Sequence, residues 1–125
     1  KSIPEKAEVQ NTLCLKSYND FHFLDTNDIL YLQADNNTTE FHMADGTMNN
    51  AYKTLKTFEN KLPKKFVRIH QSYIVNTDYI SRINFGKNNC ALKSVKRPLP
   101  FSKSYRDNMD NLKQILSKKS ISNLN

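Results

Sequence analysis

The polar residues that could do chemistry in this chain gather in one stretch. From Phe66 to Ile80 it reads FVRIHQSYIVNTDYI, where Arg68, His70, Gln71 and Ser72 interrupt a run of strand-forming residues. The serine nucleophile of an α/β-hydrolase sits on a strained, glycine-flanked turn, and neither Ser72 nor Ser102 has that context. Metal binding needs clustered ligands. His22, His42 and His70 lack such spacing, and Asp25, Asp28 and Asp35 lie in turn-like segments without a calcium-loop pattern. Cys14 and Cys90 are too few and too separated for a disulfide framework or a zinc site, so both are expected to be reduced and mostly buried. No catalytic residue, cofactor or metal is predicted, and an enzyme is the least supported class.

What remains is recognition of an anion. Net charge is +7, unevenly divided: residues 1–60 hold five Lys against nine acids (−4), and residues 61–125 hold fourteen Lys+Arg against three acids (+11). Such a half-molecule draws polyanions, with nucleic acid the first candidate and anionic membrane the second. No apolar run approaches the ~20 residues of a membrane helix and no signal peptide is seen, so no membrane partner and a cytoplasmic location are expected. Duplex DNA is held by Lys and Arg on phosphates. Its sequence is read by Arg or Lys on guanine and Asn or Gln on adenine. Gln71 beside Arg68, Lys103 after RPLPFS, and Asn36 and Asn37 at a hairpin tip are groups of that kind. Each alone is an ordinary surface residue; on one edge of a rigid scaffold they could track a groove. An RNA or single-strand binder would use exposed aromatics as stacking platforms, whereas Tyr and Phe here mostly fall at core-periodic positions. A protein-interaction module of a sensor system, its basic face incidental, is the third class.

The elements that must hold these groups are mainly β. Strands are expected at 12–18, near 21–24 and at 29–34, with a turn at 35–37 and a return strand at 38–44. Asp45-Gly46 makes the next tight turn. Ala51, Leu55, Phe58 and Leu62 recur at i, i+4, i+7 and i+11, which predicts a short helix stopped by Pro63. Strand resumes through FVRIHQSYIV, with Val67, Ile69, Ile74 and Val75 in the core, and again in DYISRINF. Residues 86–89 turn the chain into CALKSV, and RPLPF is an edge or extended segment. Tyr105, Met109, Leu112 and Leu116 predict a second helix, opened by a capping-box-like Ser104-x-x-Asp107. The absence of βαβ alternation argues against a doubly wound fold. Residues 1–11 read as a linker from a preceding domain, 12–117 as the folded domain and 118–125 as a polar tail.

The stretch LKTFENKLPKKFVRIHQSYIVNTDYISRI, followed by RPLPFSKSYRDNM, resembles the LytTR DNA-binding domain over about residues 14–117. The shared pattern is a short helix ending in Leu-Pro, then Phe-x-Arg-x-His-x-Ser-x-x-Val-Asn, a Tyr-Ile strand, and a closing segment with Ser, Lys or Arg, and Tyr. The resemblance implies an elongated fold of short antiparallel sheets with one short mid-chain helix and a C-terminal helix. It implies the output half of a bacterial two-component response regulator, joined to a receiver domain through which the protein could dimerise. It also implies binding to direct-repeat promoter sites, with loops entering the major groove and the DNA often bent. Carried over by position, the base-reading residues are Gln71, Lys103 and, in the first hairpin loop, Asn37, Thr38 and Thr39. Family members often carry Arg or Asn where this chain has Gln71, and Arg where it has Lys103, so base preference should differ. The phosphate-contacting set is Arg68, Ser72, Lys64, Lys65, Ser102, Tyr105 and Arg106. Arg68 suits phosphate contact or structural packing, and Tyr105 suits a phosphate-level hydroxyl or the core. His70 reads as a hydrogen-bonded loop anchor and Asn76 as a brace for the turn after it.

Overall fold

The structure is a computed structural model that describes residues 11–121. The linker expected over 1–11 falls almost wholly outside the described residues, as do the last four residues of the expected tail.

Among the described residues, ten strands form three antiparallel sheets, accompanied by two α-helices. Strands β1 (Thr12–Ser17) and β2 (Asp20–Asp25) make a two-stranded hairpin. β3 (Ile29–Asp35), β4 (Thr38–Met43), β5 (Met48–Ala51), β6 (Phe66–His70) and β7 (Tyr73–Asn76) form a five-stranded sheet in the order β5-β4-β3-β7-β6. β8 (Ile80–Asn84), β9 (Asn89–Leu92) and β10 (Leu99–Pro100) form a three-stranded sheet with the proline-containing β10 at its edge. The helices are α1 (Leu55–Glu59) and α2 (Arg106–Lys118). Strand-forming residues and Asn-rich turns account for this: Asn36 and Asn88 supply the positive φ (56° and 53°) that their tight turns require.

The five-stranded sheet is covered on both faces. Leu32, Phe41, Ile74 and Phe66 pack beneath α1 through Leu55 and Phe58. Val75, Ile69 and the half-buried Val67 face α2 and the three-stranded sheet through Met109, Leu112, Cys90 and Leu92. Adjacent residues such as Ile74 and Val75 therefore serve opposite cores, as strand alternation dictates. Of the four residues expected in the core, Ile69, Ile74 and Val75 are buried there and Val67 packs against it half-buried.

Four expectations need correction. Ala51 ends β5, paired with Thr39, and α1 spans only Leu55–Glu59. The i, i+4, i+7, i+11 spacing arises because strand, helix and the turn before Pro63 all pack on one core. Ser104 does not cap α2; it lies in a 3₁₀ turn, Lys103–Tyr105, and Tyr105 precedes the helix with no side-chain cap bond. Cys90 is buried but Cys14 is exposed. It alternates with Leu13 and Leu15, which turn inward, and pairs with Phe23 on the outer face of the β1–β2 hairpin. On that hairpin Tyr18, Phe21 and Phe23 are 92%, 51% and 67% exposed, so not every aromatic ring serves the core.

A candidate nucleic-acid interface at one end of the central sheet

Register places three polar segments side by side. β3 pairs with β7 as Gln33↔Tyr73, and Ala34 N donates to Ser72 O at 2.9 Å. The β3–β4 turn at 36–37 thus lies at the same sheet end as the β6–β7 turn at 71–72. Ser102 N donates to Ile69 O at 3.0 Å, which sets the segment 102–105 beside His70 and Gln71. Strand neighbours lie ~4.8 Å apart, and the two hairpin turns are centred two strand spacings apart, ~10 Å. That distance is about three base steps of B-DNA at 3.4 Å each.

The central turn is braced from within. Arg68 donates from Nε to His70 O (2.8 Å), from Nη2 to Gln71 O (2.6 Å) and from Nη1 to Glu59 Oε1 (2.8 Å). Its guanidinium also lies 5.6 Å from the Tyr105 ring centroid, and its side chain is only 10% exposed. Ser72 N donates to His70 Nδ1 at 3.0 Å, and through this bond the imidazole anchors the loop. Asn108 Nδ2 donates to Arg68 O at 2.9 Å and ties α2 to β6. With backbone and neighbours fixed, the Gln71 side chain stands exposed at the tip. Lys56, Glu59, Arg68, Gln71, Ser102 and Tyr105 surround a polar hollow of about 420 Å³ beside it.

The expected site residues fall into two groups. Gln71, Ser72, Asn37, Thr38, Lys103, Ser102, Tyr105 and Arg106 lie at or beside this end, with Gln71, Asn37, Lys103 and Arg106 exposed. Thr38 Oγ1 donates to Asp35 O (2.8 Å) and tightens its turn. Thr39 does not belong with them: it is fully buried and its hydroxyl donates to Lys53 O at 2.8 Å. It faces inward because it is one residue out of phase with Thr38. Arg68 is an internal brace, its charge met by Glu59 and two carbonyls. Lys64 and Lys65 precede β6 at its opposite end, and a five-residue strand spans roughly 16 Å. There Lys65 Nζ bonds Asn27 Oδ1 and, at 3.2 Å, Asp78 Oδ2. Lys64 and Lys65, expected as phosphate contacts, therefore stand a strand's length away from the row of loops.

Neither residue type nor spacing pointed to Lys56 or Lys53. Lys56 borders the hollow, and Lys53 follows β5, whose Ala51 pairs with Thr39 close to the first loop. The partnership of Arg68 with Glu59 was equally hidden, since it crosses from a strand to a helix. Asp25 Oδ1 accepts from Asn27 N (2.9 Å), the turn role expected of it. Among the described residues no His, Cys, Asp and Glu cluster could hold a metal, and no helix is long and apolar enough to cross a membrane.

Residues 19–117 match the model of the LytTr DNA-binding domain family. The chain belongs to that family. That family is one of DNA-binding domains and is not an enzyme family. The chain is 32% identical over 113 residues to the sensory transduction protein LytT of Bacillus subtilis (strain 168), covering 85% of this chain and 45% of that protein. It thus spans less than half the length of that relative. A solved LytTr DNA-binding domain from Bacillus cereus, 24% identical, has the same fold, with a TM-score of 0.69 over 83% of this chain and 97% of the other.

Proposed function

We propose that this LytTR domain reads duplex DNA through the row of loops at one end of its central sheet, as the output module of a two-component transcriptional regulator. Gln71, Lys103 and Asn37 address base edges, while Ser72, Ser102, Tyr105 and Arg106 meet phosphates. Arg68 acts behind them as a positioning residue. The observation that carries the proposal is the register that sets three otherwise distant loops in one row, two of them about three base steps apart. Gln71 at the centre offers the amide that pairs with adenine, and Lys103 the cation that suits guanine. The relative's name, a sensory transduction protein, supports the regulatory role. Direct-repeat sites and dimerisation through a receiver domain follow from the family resemblance and form part of the proposal.

Selection from a random duplex pool tests it. The expected product is a motif of roughly ten bases repeated in one orientation, spaced by one or two helical turns of ~10 bp. Gln71→Ala and Lys103→Ala should each reduce preference for that site by ~1–3 kcal/mol. Equal losses on selected and scrambled duplex would show that the two residues only position the backbone. Affinity for any duplex should fall ~10³-fold or more between low and moderate salt; a flat response would refute duplex binding.

A further inference from the structure

We infer that the flank of α2 that meets β8, together with β8 itself, forms a second phosphate-contacting track for duplex that flanks the recognised site. The inference rests on the DNA-binding proposal above and adds a surface to it. Arg106 opens α2 beside the third loop, and Lys113 follows seven residues later, two turns along the same side of the helix. Both cations lie over the Phe85 ring, at 4.5 Å for Arg106 Cζ and 5.5 Å for Lys113 Nζ, so the ring holds them toward β8. Farther along, Arg82 of β8 and Lys119 line a shallow groove between β8 and the end of α2, with the hydroxyl-bearing Ser81 and Ser117.

Beyond Arg106, the cations along this groove have no carboxylate partner among the described residues. Arg82, Lys113 and Lys119 are exposed, and among the described residues none takes part in an ion pair. The contrast with Lys65 and Arg68 is direct, since a carboxylate sits on each of those. The ion-paired acid here, Asp110, lies 3.5 Å from Arg106 at the loop end of the helix and leaves the other three cations without a partner. From Arg106 to Lys119 the helix rises ~20 Å, which matches about six base steps of duplex at 3.4 Å.

The track does not lie in the row of loops. Asn108 is bonded to Arg68 near the loop end, whereas Leu116 and Lys119 line the same groove as Ile80, where β8 begins at the opposite end. Duplex held straight across the loops would leave Arg82 and Lys119 untouched. Flanking DNA reaches them by bending toward α2, and the added phosphate contacts offset the cost of that bend.

The test compares the chain with its Arg82→Glu, Lys119→Glu double variant on two duplexes carrying the same selected site. One duplex ends at the site; the other extends ~15 bp, about one and a half turns, on each side. Both residues are exposed, so the fold should survive, and an Arg82→Gln, Lys119→Gln pair controls for charge reversal. The double reversal should lose ~10-fold or more on the long duplex and lower its salt slope by about 2, near the 0.9 expected per phosphate. On the short duplex it should stay within about twofold of the parent chain. Equal loss on both duplexes, or no loss on either, would overturn the track. Loss of preference between selected and scrambled sites would instead count against base reading by the loops. The difference between long and short duplexes is measurable on scrambled sequence too, so the two failures are separable.

Discussion

Replacing Arg68 separates a brace from a phosphate contact. In Arg68→Ala the carbonyls of His70 and Gln71 lose their donors, and Glu59 loses its partner. Each lost bond to a turn carbonyl should cost ~1–1.5 kcal/mol. The ion pair adds less, since the Glu59 side chain is 36% exposed and solvent-screened pairs contribute ~0–1 kcal/mol. The total is about 2–4 kcal/mol, a large share of the ~5–15 kcal/mol that holds a domain folded. In urea, with m of ~2 kcal/mol/M, the midpoint should fall by roughly 1–2 M. Arg68→Lys should be nearly as damaging, because an ammonium group cannot reach two carbonyls and a carboxylate in one planar fork. The salt slope of duplex binding should stay as in the parent chain, while preference for the selected site falls because the Gln71 backbone is no longer held. Equilibrium unfolding and salt-dependent duplex titration on the same samples decide the matter. Stability within ~0.5 kcal/mol of the parent, together with a slope lower by about one, would show that Arg68 touches phosphate and that the brace is wrongly assigned.

Further outcomes follow from burial. Thr39→Val removes the donor to Lys53 O and should cost ~1–2 kcal/mol of stability with no change in site preference; a change in preference would return Thr39 to the interface. Burial raises the Cys90 thiol from 9.0 to about 11. The native state therefore holds this proton more tightly, so its contribution is intact below about pH 9 and is lost as pH climbs toward about 11. Cys90→Ala should flatten that alkaline decline relative to the parent, by up to ~2–3 kcal/mol at 1.36 kcal/mol per pKa unit; unchanged pH dependence would refute it. A small thiol reagent at neutral pH should modify the exposed Cys14 and spare Cys90, as mass spectrometry of the native protein would show.

Much of the fold was legible because it follows from local rules. Alternation marked the strands, Asn-rich pairs marked the turns, and Met109 with Leu112 marked the inner side of α2. One source of error is that a periodic spacing does not say which element carries each residue. Ala51, Leu55 and Leu62 share a core, yet they lie in strand, helix and turn. Cys14 and Thr39 show the converse, since their exposure depends on which face of a hairpin the rest of the chain covers. At the site, the exposed loop tips were legible from residue type and family pattern. The brace behind them was not, because Arg68–Glu59 and Asn108–Arg68 join elements whose packing sequence spacing does not encode.

The two ends of the central sheet divide the work, and that division can be measured. At the end away from the loops, Asn76 is fully buried; its Nδ2 donates to Ile29 O at 2.9 Å and its Oδ1 accepts from Asp78 N at 3.0 Å. Tyr79 and Lys65 add hydroxyl and ammonium contacts to Asn27 at the same end. Asn76→Ala strands a buried carbonyl and opens the following turn, at a cost of ~2–4 kcal/mol of stability, one to two unsatisfied groups at ~1–3 kcal/mol each. Gln71→Ala at the exposed tip should cost less than ~0.5 kcal/mol of stability but ~1–3 kcal/mol of site preference. Five residues of extended chain separate the two positions by roughly 16 Å, beyond the ~7–10 Å within which substitutions usually couple. The double variant should therefore show the stability of Asn76→Ala and the site preference of Gln71→Ala, each within ~0.5 kcal/mol. Unfolding and duplex titration of the four proteins in the cycle test this. Coupling above ~1 kcal/mol in either quantity would mean that the far end sets the loop's conformation, and that recognition is not confined to the row of turns.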